Sequence, residues 1–370
     1  MSLSSLASCH WFFSRIPPAS AYCRSVWKLL IAVLFLPFGA VFAADAPPPV
    51  LSIPSLCYHQ IVPAAKGLFE SSVEDFRRQL AFLKAAQFEG INSNDLVNIL
   101  AGKPSPVKKP ILITFDDGYV SVFTHALPLM REYGFVGVAC IYPEFIGSGG
   151  GMSWKQLKQL EAEGWSVECH SMSHADIAKG SVNPAARDAF FEREISRPRR
   201  LIEEHLGHPI KFMAWPYGIY TEASESFAKK DGYCGALTVD GGASYFGLDT
   251  FRVKRQVVYR TDTMEKFQIR VEMAALPLEK ASPGPGAIVS TLRQISCRLP
   301  ELADYSPEKY VLSVKVTGGT VASSFDPASR TVQATVDGTL KSGQHFIDVY
   351  LRDRATGVTA QNGWLFTIRK

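Results

Sequence analysis

No dense run of basic residues occurs in this sequence; 39 Lys and Arg stand against 35 Asp and Glu, for a formal net charge of +4. A nucleic-acid binder displaces counterions with a concentrated basic patch, so nucleic acid is set aside as a partner. Acidic residues are missing altogether before Asp45. Arg15, Arg24 and Lys28 lead instead into an uncharged run over residues 29–44. A positive flank, a short apolar run and small residues at Val41 and Ala43 read as a secretory signal cleaved after Ala43. Pro37 and Gly39 interrupt a run already short of the ~20 residues that span a bilayer. The expectation is an exported protein, periplasmic or extracellular, with an uncleaved N-terminal membrane anchor as the alternative.

Cysteine is scarce. Of seven, Cys9 and Cys23 precede residue 43 and five remain. An odd number in an exported chain argues against a complete disulfide framework. Cys57, Cys140, Cys169 and Cys234 lie in apolar segments and read as small buried residues. What is plentiful is hydrophobic sequence, 46% of 370 residues, enough for a large core and for more than one domain.

The pattern divides the chain into a signal at 1–43, a proline-rich linker at 44–55, a first domain at 56–280 and a second at 287–370. In the first domain, apolar runs alternate with amphipathic helical patterns. Ser72 is a candidate helix cap with Phe76, Leu80 and Leu83 on one face behind it. Strands are predicted at 111–115, 137–141, 165–169, 212–215 and 236–239. Ser153 with Gln156 forms a capping box for the helix before Gly164. Repeated βα units imply a parallel sheet, closed or doubly wound, with catalytic groups at the carboxyl ends of its strands. Beyond Ser282-Pro283-Gly284-Pro285-Gly286 a period of two takes over, as in Val332, Ala334 and Val336, or Trp364, Phe366 and Ile368. That predicts a small antiparallel β-sandwich.

Four motifs carry candidate chemistry. In Thr114-Phe115-Asp116-Asp117-Gly118, two carboxylates leave a buried strand and need a cation to receive them. One can bind a metal while its neighbour serves as a base. His170 and His174, four apart, fit one side of a helical turn and can face one cation. Imidazole suits zinc first, with nickel, cobalt or iron also compatible, and a carboxylate is a fitting third ligand. Trp215-Pro216-Tyr217-Gly218 is a strand-end turn whose Tyr217 N–H could face an oxyanion. His59, in Cys57-Tyr58-His59-Gln60-Ile61, could reach the mouth of the site as a general acid.

These motifs, in this order, resemble the polysaccharide deacetylase family, also called the NodB-homology domain or carbohydrate esterase family 4, from about Leu56 to Phe267. The resemblance implies a distorted, incomplete (β/α) TIM-like barrel, with the second domain similar to immunoglobulin-like modules. It implies Asp116 as catalytic base, Asp117, His170 and His174 as ligands of a divalent metal, and Tyr217 N–H as oxyanion donor. Two departures stand out. Ala214 occupies a position where the family often has arginine, and no histidine occurs between His208 and His345 for the family's late acid motif. Both look like the subgroup acting on poly-β-1,6-N-acetylglucosamine in biofilms, in which an early Tyr-His motif, here Tyr58-His59, supplies the acid. A histidine beside carboxylates is expected to hold its proton near neutral pH. Arg255 and Asp240 are further candidates without an assigned role.

The expected activity is metal-dependent N-deacetylation of an N-acetylglucosamine polysaccharide (poly-β-1,6-linked, peptidoglycan or chitin-like). The alternatives are an inactive carbohydrate-binding protein and an O-acetyl esterase. The second domain is expected to be a spacer, a tether to the cell envelope or a glycan-binding platform.

Overall fold

The computed structural model describes residues 51–180, 183–301 and 305–369. The expected signal, residues 1–43, lies outside them. Among the described residues, no helix is long and apolar enough to cross a membrane.

Strand Pro110–Asp117 is buried at every position, as its continuous apolar run predicts for a strand covered on both faces. It lies inside an eight-stranded sheet. The strand order is Gln256–Val257, Ser55–Tyr58, Pro110–Asp117, Val138–Ile141, Ser166–Cys169, Phe212–Ala214 and Gly235–Leu237, and Glu89–Ile91 also pairs with Pro110–Asp117. Every pairing is parallel. The pairing thins to a single register contact, Cys169 with Met213, between the fifth and sixth strands of this order. At the far end a parallel bridge joins Leu237 to Val253, which precedes the strand Gln256–Val257. The sheet thus curls in the manner of a distorted (β/α) barrel.

The helices follow their local signals. Ser72 accepts a hydrogen bond from Asp75 N–H and opens Val73–Ala85, which buries Phe76, Leu80 and Leu83. Ser153 and Gln156 form the reciprocal capping box of Trp154–Ala162. Gly134 closes Leu127–Tyr133 in the left-handed conformation, where a side chain would be strained. Two further helices, Pro184–Phe191 and Arg197–Leu206, flank a wide π-type turn at Glu192–Ser196.

The period-two segments form two sheets. One joins Ala274–Ala275, Thr359–Ile368, Gly343–Asp353, Tyr310–Val316 and Ala287–Val289; the other joins Glu279–Ser282, Gln294–Arg298, Thr331–Asp337 and Thr320–Asp326. Val332, Ala334, Val336, Ile347, Val349, Trp364, Phe366 and Ile368 share one buried cluster between them. Strands at Ala274–Ala275 and Glu279–Ser282 precede the Pro-Gly stretch and already pair with C-terminal partners. Leu365 is buried in the cluster of the parallel-sheet half. Lys254, also buried, donates to Asn362 Oδ1 at 2.9 Å and to the Gly363 carbonyl.

Among the described residues the five cysteines are free. Cys57, Cys140 and Cys169 are buried as expected, but Cys234 is exposed. It falls just before its strand, Gly235–Leu237, begins.

Candidate active site

Strand Pro110–Asp117 carries both aspartates at its carboxyl end. The chain turns left-handed there, with φ of 74° at Asp117 and 90° at Gly118. That reversal sends the adjacent carboxylates to different neighbours.

Asp116 meets Arg255. The guanidinium donates to Oδ1 at 2.6 Å and to Oδ2 at 3.0 Å, and its other N–H groups reach Thr114 Oγ1 and the Thr238 carbonyl. The Cys57 thiol donates to Asp116 Oδ2 at 3.3 Å. Burial pushes the Asp116 pKa up, but Arg255, with smaller contributions from His170 and His59, holds the carboxyl below its ordinary value. Asp116 is therefore ionised at neutral pH. Arg255, left without a role by the sequence, is the guanidinium that pairs with Asp116.

Asp117 faces the histidines. Its Oδ1 lies 3.3 Å from His174 Nε2 and 3.6 Å from His170 Nε2, and it is buried without a hydrogen-bond partner among the described residues. Burial, then the charge of Asp116, push its pKa up to about 7. A cation would reverse that shift by favouring the carboxylate.

His170 Nδ1 lies 2.8 Å from the Ala214 carbonyl. A carbonyl only accepts, so Nδ1 carries the hydrogen and Nε2 keeps its lone pair toward Asp117. Burial lowers the His170 pKa to about 3 and lowers that of His174 as well. Neutral imidazoles with an available Nε2 are the form that binds metals. One ligand atom each from Asp117, His170 and His174 lies within 4.8 Å of the others. An orphaned carboxylate oxygen between two imidazole nitrogens fits a divalent metal ion.

The histidines do not converge through a helical turn, as their spacing suggests. Ser171 and His174 adopt φ of 65° and 58° in a loop. Glu194, fully buried in the π-type turn, holds that loop: its carboxylate accepts from Met172 N–H, Ser173 N–H and Ser173 Oγ at 3.0 to 3.3 Å. π-Type turns often mark functional positions. Sequence reading missed Glu194, because one glutamate in a helical pattern carries no local mark.

His59 follows strand Ser55–Tyr58, with Nδ1 buried and unpartnered among the described residues. Burial lowers its pKa and outweighs the opposite pull of Asp116. Burial thus works against the expected proton on His59 near neutral pH, and the Asp116 charge works for it. Tyr217 sits at φ 59°, its ring exposed and 4.5 Å from that of His174. A Cβ on Gly218 would come 2.1 Å from Val239 Cγ2, so the turn requires glycine. Asp240 does not join the group. It is buried, accepts from Tyr220 OH at 2.8 Å and is influenced by Lys254.

Residues 103–236 match the family model described as polysaccharide deacetylase. A poly-beta-1,6-N-acetyl-D-glucosamine N-deacetylase of Staphylococcus epidermidis is 21% identical over 193 residues, covering 50% of this chain and 66% of the relative's length. Among solved structures, IcaB from Ammonifex degensii is similar at 25% identity and a TM-score of 0.53, over 60% of this chain and 95% of that one. The Streptococcus pyogenes deacetylase PplD in complex with acetate shares the fold, at 20% identity and a TM-score of 0.55, over 60% of this chain and 99% of that one.

Proposed function

Since residues 103–236 are a domain of the polysaccharide deacetylase family, we propose that this chain hydrolyses the N-acetyl groups of an N-acetylglucosamine polysaccharide, releasing acetate. The observation that carries the reading is the convergence of Asp117, His170 and His174 beside an Asp116 held ionised by Arg255. Zinc suits the two-imidazole, one-carboxylate set, as do nickel, cobalt and iron. When bound, such an ion would polarise the acetamide carbonyl and acidify water.

The residues divide the remaining work. Asp116 accepts the proton of the attacking water, with Arg255 fixing its orientation and charge. The Tyr217 N–H donates to the oxyanion as it develops. His59 gives a proton to the nitrogen as the C–N bond breaks, leaving a free amine and acetate. Burial works against that proton on His59 and Asp116 favours it, so activity falls as pH rises through the His59 pKa.

Poly-β-1,6-N-acetylglucosamine is the favoured glycan. The early Tyr58-His59 pair and the similarity to a relative named for that substrate support it. We assign the C-terminal sheets, which share one buried cluster, to an immunoglobulin-like sandwich, with a spacer or a cell-envelope tether as its role, and export to the signal at 1–43. The test is acetate release from defined β-1,6- and β-1,4-linked N-acetylglucosamine oligomers and peptidoglycan, after chelation and after restoring each metal. Metal-restored release that Asp116→Asn and His59→Ala each reduce by about 10²-fold or more supports the reading. No release from any glycan with any metal overturns it.

A further inference from the structure

Leu68 and Phe69 are 49% and 46% exposed, and Phe69 lies beside His59. Their exposure is built in. Glu70 Oε2 accepts from Lys66 N–H at 2.6 Å and Gly67 N–H at 2.9 Å, closing the loop that presents them. The Leu68 carbonyl accepts from Arg260 N–H at 2.9 Å, which ties the loop to the segment holding Tyr259. The Phe69 ring neighbours two others, 4.9 Å from His59 and 5.6 Å from Tyr259, each at a tilted angle. Tyr259 is held in turn by its N–H on Asp262 Oδ2 at 2.9 Å.

Two exposed apolar side chains need no occupant by themselves, but this pair is fixed against the His59 ring. We infer that Leu68, Phe69 and Tyr259 form a glycan-binding subsite on the His59 side of the centre, where the apolar C–H face of a pyranose ring packs on Phe69. Continuity with His59 selects the occupant, because the amine leaving toward His59 belongs to a sugar of the same chain. Aromatic side chains offer large contact area with little entropy to lose. The subsite rests on the deacetylase reading for its substrate, and it makes chain length matter: a unit beyond the reacting sugar gains contacts that a monosaccharide lacks.

Calorimetric titration tests this on the chelator-treated full chain, in which binding is read without turnover. The probes are a β-1,6-linked N-acetylglucosamine pentamer and the monomer. The wild-type chain should bind the pentamer more tightly than the monomer. Phe69→Ala should weaken the pentamer about tenfold at an unchanged melting temperature, and Phe69→Tyr, which keeps the ring, should restore it. Equal pentamer affinity in wild type and Phe69→Ala overturns the subsite, as does equal weakening by Phe69→Tyr or no pentamer binding at all. Ring-dependent binding with no acetate release from the metal-loaded enzyme would retain the subsite and reject the deacetylase reading.

Discussion

The guanidinium of Arg255 spans both carboxylate oxygens of Asp116, at 2.6 and 3.0 Å, although the two residues are 139 positions apart. Both are almost completely buried. A planar fork on a carboxylate fixes orientation as well as charge. The carboxylate proposed as the base is therefore aimed by a residue far away in the sequence.

Arg255→Lys keeps a charge but loses the fork, so acetate release should fall about 10²-fold with metal content unchanged. Without the fork, burial pushes the Asp116 pKa upward. The acidic limb of the kcat/KM profile should then move to higher pH. A profile whose acidic limb stays in place would show that Arg255 does not set the base.

Glu194 holds the backbone between the two histidines, so its loss should loosen the proposed metal set. Replacing groups that orient metal ligands lowers metal affinity roughly 10–100-fold. Glu194→Ala should lie at the large end of that range and Glu194→Gln, which keeps one acceptor oxygen, at the small end. Chelator competition measures this independently of turnover.

Glu168 sets a pH dependence of stability. It is buried, accepts from the N–H groups of Lys211 and Phe212 at 2.7 Å, and has its pKa pushed from 4.5 up to about 7, chiefly by burial. Between those values the folded chain holds a proton that the unfolded chain has released, so stability falls as pH rises from 4.5 to 7. The full effect is about 3 kcal/mol. Glu168→Gln should flatten this part of the melting-temperature profile. A Gln variant with an unchanged slope would assign the loss to another group.

Lys254 joins the two halves of the fold. Burial lowers its pKa and Asp240 and Asp348 oppose that shift; its Nζ ends on Asn362 and Gly363. Lys254→Ala removes a buried charge from its partners and should cost about 3 kcal/mol in chemical denaturation. Deleting residues 283–370 also removes Leu365 from the core. That chain should be insoluble or melt far below the intact protein, whereas a simple spacer would leave the parallel-sheet half unaffected.

Much of the fold was legible because its signals are local. Ser72, Ser153 and Gly134 mark helix ends through their own hydrogen bonds or backbone conformation, and alternation at 332, 334 and 336 marks a half-buried strand. Asp116, Asp117, His170 and His174 were legible for a related reason: costly residue types stood at strand ends. Their convergence was misread as a helical turn because two non-glycine residues take positive φ, which spacing does not encode.

By itself the sequence determined where the strands lie, which residue types reach their carboxyl ends, and that two carboxylates there required compensation. Only the tertiary structure decided what provides it. Arg255 reaches Asp116, Glu194 grips the histidine loop, and burial lowers the proton affinity of His59. Each of these depends on distance and on exclusion of water between segments far apart in the chain. Those quantities exist only once the sheet has brought the segments together.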